Sequence, residues 1–100
     1  MPGKLNRGYS ETMRIERTDE FEKKLRRLVK RNLKLKLLVD RKLGLLLMPE
    51  KPAGLRLHKI QSAGIELWSI SINMGLRIMF MYVKESTILL TDVGNHNEVY

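Results

Sequence analysis

Apolar residues along this chain repeat at two periods, and the period changes once, near residue 50. Ahead of the helices, Met13 and Ile15 alternate with Arg14 and Glu16, the two-residue rhythm of a half-buried strand. The spacing then lengthens. Phe21, Leu25, Leu28 and Val29 recur at helical intervals, Thr18 or Asp19 supplies the cap, and Glu20 and Glu22 occupy the first turn, where the helix dipole favours acids. After a break at Asn32, Leu35, Leu38, Val39, Leu43, Leu46 and Leu47 form the apolar face of a second helix. It must end before Met48-Pro49, because the residue preceding a proline is pushed out of helical geometry. The two helices make a hairpin.

Beyond the PEKPAG loop the rhythm returns to two. Trp68, Ile70 and Ile72 share one face, with Leu67, Ser69 and Ser71 on the other. After a turn at Asn73-Met74-Gly75, Leu76, Ile78, Phe80 and Tyr82 point one way and Arg77, Met79, Met81 and Val83 the other. KEST turns this run into a third strand, TILLTDV. The predicted architecture is α+β: an N-terminal strand, a two-helix hairpin and a three-stranded antiparallel meander, the helices packed on one face of the sheet. The other face receives no helix and is expected to be exposed, carrying Arg77, Ser69 and Ser71. Residues 1–11 read as a loose polar tail and 12–100 as a single domain.

Size and composition fit this picture. A chain of 100 residues buries roughly two thirds of its unfolded surface, enough for one modest core. No apolar run approaches the ~20 residues of a membrane span, and MPGKLNRGYSET lacks the apolar centre of a signal peptide, so a cytoplasmic protein without membrane contact is expected. Charge changes the picture more. Nineteen basic and eleven acidic residues give a net +8, unevenly spread, with ten basic side chains and one acid, Asp40, between Lys23 and Lys42. Such density implies a polyanionic or strongly acidic partner. Without cysteine, H-E-x-x-H, clustered acids, a phosphate-binding glycine loop or a G-x-S-x-G elbow, no metal site and no cofactor are expected. Any chemistry must run on His, Tyr, Arg and Lys.

A basic helical hairpin followed by LRLHKI, WSISI, GLRIMF and VGNHNEVY resembles the RelE/ParE superfamily of bacterial toxins from toxin–antitoxin pairs, over residues 12–100. Within it the likeness is to RelE, YafQ and HigB-like mRNA interferases, which act on the ribosome. The resemblance implies metal-independent RNA cleavage, in which a 2′-hydroxyl attacks the neighbouring phosphate to leave a 2′,3′-cyclic phosphate and a 5′-hydroxyl. It assigns His96 and His58 to proton transfer, Arg77 to the phosphate, and Tyr100 to base stacking or hydrogen bonding. Arg56, Lys59, Ser69, Ser71, Lys23, Lys24, Arg27, Lys30, Arg31 and Lys34 become RNA- and ribosome-contacting residues. Its partners would be mRNA, rRNA and an acidic antitoxin, with operator DNA reached only through that antitoxin. Two departures stand out: Ser69 and Ser71 take the place of two lysines of RelE, and Leu57 instead of an acid precedes His58. Two other readings share the fold, a ParE-like inhibitor of DNA gyrase and a degenerate relative that only binds antitoxin or DNA.

Overall fold

Among the described residues two helices and five strands follow the predicted order, with one strand more than the sequence pattern announces. The computed structural model describes residues 13–62, 64–84 and 86–95, with the side chains of residues 61 and 62 left aside. The predicted tail, His96 and Tyr100 lie outside the described residues. Strand β1 (Arg14–Arg17) leads into α1 (Asp19–Val29) and α2 (Leu33–Leu46). A short 3-10 turn (Ala53–Leu55) precedes β2 (His58–Ser62), β3 (Ile65–Ser71), β4 (Leu76–Lys84) and β5 (Thr87–Asn95).

Local chemistry sets the boundaries. Thr18 caps α1, its hydroxyl accepting from the Phe21 N–H at 3.1 Å, and Asp19, Glu20 and Glu22 fill the first turn. Asn32 caps α2 in the same way, accepting from the Leu35 N–H at 3.1 Å. Between the helices Arg31 takes a left-handed backbone conformation, φ 63°, which reverses the chain. The β3–β4 turn is held by Asn73, whose side-chain oxygen accepts from Gly75 and Leu76 N–H groups at 3.0 and 2.9 Å.

The sheet runs β1-β5-β4-β3-β2. β1 lies parallel to β5, and the other pairs are antiparallel. The strand the pattern missed is β2, at the far edge, short and polar. Edge strands bury little and so lack a strong apolar rhythm. One irregularity matters for the core: Leu90 stands opposite Phe80 and Asp92 opposite Met79, so Thr91 bulges out of the ladder, its hydroxyl donating to the Met79 carbonyl at 3.3 Å. Ile88, Leu90 and Val93 thereby all reach the core, and Asp92 avoids it.

That core fills the space between the helices and one sheet face. Phe21 and Leu25 from α1 and Val39, Leu43 and Leu46 from α2 meet Ile70, Ile72, Leu76, Ile78, Phe80, Ile88, Leu90 and Val93, as the alternation predicts. Tyr82 stands edge-on to both Phe80 and Trp68, with ring centroids 5.5 Å apart in each case. Two predicted core contributors sit at its margin: Leu28 near the end of α1 and Leu47 at the cap of α2 remain exposed. Among the described residues no helix is long and apolar enough to cross a membrane.

Candidate functional site

Three consecutive strands gather three polar side chains on the sheet face away from the core. His58 opens β2 directly opposite Ser69 on β3, while Arg77 on β4 stands opposite Ser71 and so reaches Ser69 along the diagonal. Arg77 Nε donates to Ser69 Oγ at 3.0 Å, and a terminal guanidinium nitrogen lies 3.5 Å from His58 Nδ1. The same Nδ1 is 3.2 Å from the Arg56 carbonyl oxygen.

This geometry corrects the expectation of an exposed Ser69. Its relative exposure is 0%, and Met79 opposite it is 5% exposed, so the rear face is closed at its centre. The small hydroxyl lies beneath longer neighbours, and Arg77 supplies the hydrogen bond that a buried serine requires. Ser71 is half-buried and donates its hydroxyl to the Asn73 carbonyl at 2.9 Å, which ties it to the β3–β4 turn. Ser69 thus works on Arg77: it clamps Nε, which fixes the plane of the guanidinium fork and directs the terminal nitrogens, the pair suited to a phosphate.

Lys59 is not brought to this cluster. Adjacent strand positions point to opposite faces, and its ammonium pairs with Glu66 at 3.1 Å and lies 6.0 Å from the centre of the Trp68 ring. Lys24 is half-buried and bonds Asp92 at 2.6 Å, joining α1 to the last strand. Lys23, Arg27, Lys30, Arg31 and Lys34 are exposed along the helices, and Arg56 is exposed beside His58. An open groove of about 420 Å³, lined by Lys24, Arg27, Leu28 and Val93, connects the basic helix to β5. Within this surface Leu33 and Leu37, one helical turn apart on α2, are 67% and 57% exposed. The pattern left them aside because they fall off the buried stripe.

His96 and Tyr100 lie outside the described residues, but β5 is described through Asn95 and places Gly94 opposite Arg77. Two contributors escaped the sequence reading: the Arg56 main chain, which no side-chain motif encodes, and Asp92, whose partner is 68 residues away. Among the described residues no group of three or more His, Cys, Asp or Glu could hold a metal ion.

By sequence the chain matches no protein-family profile and no curated protein. By structure it resembles YafQ from Escherichia coli, with a TM-score of 0.72 at 15% identity, covering 89% of this chain and 99% of that one. YafQ in the E. coli DinJ–YafQ toxin–antitoxin complex gives 0.73 at 14% identity, covering 90% and 99%. The chain has the RelE-like toxin fold. A metal-bound toxin from Helicobacter pylori shares this RelE-like fold with a TM-score of 0.67 at 25% identity, covering 89% and 100%. The His58, Ser69 and Arg77 cluster therefore sits on the rear face of a RelE-like sheet, the helices occupying its other side.

Proposed function

We propose that this chain is the toxin of a toxin–antitoxin pair and that it cleaves mRNA on the ribosome without a metal. The observation that carries the reading is the joining of His58, Ser69 and Arg77 across three strands of a RelE-like sheet. The Arg77 fork, held at Nε by Ser69, receives the phosphate and stabilises the charge that builds on it as the 2′-hydroxyl attacks. His58 and His96 serve as the proton-transferring pair, one taking the hydroxyl proton and the other protonating the leaving 5′-oxygen. Tyr100 stacks on a base.

The basic helices supply what so small a site lacks. Lys23, Arg27, Lys30, Arg31 and Lys34 engage rRNA through counterion release, and the ribosome holds the mRNA in reactive geometry. The resemblance to YafQ, which has been seen with its antitoxin DinJ, supports an acidic antitoxin for this chain as well. Its acids would meet the cations of α1 and α2 and its apolar side chains Leu33 and Leu37, and through it the pair would reach operator DNA. Action in the cytoplasm follows from these partners.

Induced expression in a bacterial host tests the reading. Translation should collapse, with mRNA cut in register with codons, and His96→Ala or Arg77→Ala should abolish both. An SOS response with intact mRNA would instead identify a gyrase inhibitor, and growth without arrest a protein that only binds.

A further inference from the structure

We propose that Lys24 is a positioning residue: by holding Asp92 it ties α1 to the last stretch of β5 and fixes where that strand passes Arg77 on its way to His96. The stretch calls for such a tie. β1 accompanies β5 only as far as Leu90, which pairs with Arg17, and the Thr18 N–H closes that flank by donating to the Leu90 carbonyl at 3.1 Å. The bulge at Thr91 follows at once. From there to Asn95 the ladder among the described residues runs on one side only, against β4. A strand with a bulge at its root and a ladder on one flank is held less firmly than one paired on both, and Gly94, opposite Arg77, sits beyond that root.

The setting of Lys24 suits it to this task. Lys23, Arg26 and Arg27 of α1 are exposed, whereas Lys24 is half-buried, its stem lining one groove with Leu28 and Val93. Nζ donates to Asp92 Oδ1 at 2.6 Å, a short charge-assisted bond between side chains each 31% exposed. The same oxygen accepts the Val93 N–H at 2.9 Å, so the carboxylate is locked to the main chain beside the bulge and a pull on it is a pull on the backbone. One of the three ammonium donors is enough for this, whatever the other two meet. The charge of Lys24 is matched on the spot by that of Asp92, so the pair adds nothing net to the field that the neighbouring cations present to a polyanion. Resting on the nuclease reading above, the pair sets the approach of His96 to the phosphate held by Arg77, and does so without touching RNA.

Amide hydrogen exchange on the full chain reads the tie without any need for activity. Lys24→Met, which keeps the stem and drops the ammonium, should speed exchange at Val93, Gly94 and Asn95 by roughly tenfold or more, the share of one charge-assisted bond. Ile88 and Leu90, paired on both flanks, should keep their rates. Asp92→Asn, which can still accept the Val93 N–H, should add little in the Lys24→Met background, since the two residues act through one bond. On ribosomes carrying mRNA, Lys24→Met should lower kcat by up to roughly 10²-fold, as a displacement of about 1 Å does, with KM held. Lys23→Met, which removes an exposed cation, should raise KM instead. Unchanged exchange at Val93, Gly94 and Asn95 would overturn the proposal, as would a rise shared equally by Ile88 and Leu90, or a raised KM with kcat held in Lys24→Met, the mark of an RNA contact. Should Lys24→Met not fold, Asp92→Asn read by the same exchange decides. If exchange responds as stated and the protein cuts no mRNA, the nuclease reading fails while the tie between α1 and β5 stands.

Discussion

The two faces of the sheet are built on opposite principles. On the front, Ile70, Ile78, Phe80 and Leu90 are held by nothing more specific than shape and exclusion of water, and their contacts run to both helices and across the sheet. On the rear, Ser69, Arg77 and His58 are held by individual polar contacts between atoms that can be named one by one. Phe80 and Met79 are sequence neighbours that divide between the two. A face of the first kind determines whether the chain folds; a face of the second determines where a few atoms point. The two should respond differently to substitution.

The largest effect is expected at the front. Phe80→Ala should cost about 3–5 kcal/mol in denaturant unfolding, because it opens a cavity beneath Tyr82 and Ile78 that rigid neighbours cannot fill. On the rear, Arg77→Ala should lower RNA cleavage by roughly 10²–10³-fold, as loss of a preorganised donor to developing charge does. Its unfolding free energy should fall by no more than about 1–3 kcal/mol, the cost of taking a hydrogen-bond partner from the buried Ser69 hydroxyl; a drop as large as that of Phe80→Ala would mean that Arg77 is a structural residue and would break the contrast. Ser69→Ala should be milder. With Nε released but the guanidinium still present, cleavage should fall by roughly tenfold, about 1.5 kcal/mol, with the loss in the chemical step more than in RNA binding.

The smallest effect concerns pH. Burial raises the Tyr82 phenol above its ordinary value of 10.0. Because the folded-state value is the higher one, the neutral ring contributes stability that is fully present below about pH 10 and is lost as pH rises through the folded value. Spectroscopic titration should find one tyrosine ionising later than free phenol, and unfolding at alkaline pH should become easier. Tyr82→Phe should remove that dependence.

The front face was legible from one strand at a time, since a two-residue rhythm marks Ile70 and Ile72 or Ile78 and Phe80 without knowledge of their neighbours. The helix boundaries were legible too, because Thr18 and Asn32 act on residues three positions ahead. The rear face was legible only as a set of residue types. Arg77 and His58 could be singled out, but their joining depends on the register of β2 against β3 and β3 against β4, and β2 itself gives too weak a rhythm to announce a strand. Ser69 reads as exposed for the same reason: alternation assigns it a face, and only cross-strand geometry reveals that the face is covered. Lys59 shows the converse, a residue grouped with His58 by sequence adjacency and separated from it by the pleat.

The bulge at Thr91 bears on how this chain tolerates change in its length. A residue lost elsewhere within β5 would turn the neighbours beyond it onto the wrong face unless the whole strand slid, exchanging Val93 for Asp92 in the interior. Loss of Thr91 alone would regularise the ladder, leaving Leu90 opposite Phe80, Asp92 opposite Met79 and Val93 opposite Ile78. Thr91 is the one place on this strand where the chain can shed or regain a residue while every neighbour keeps its address.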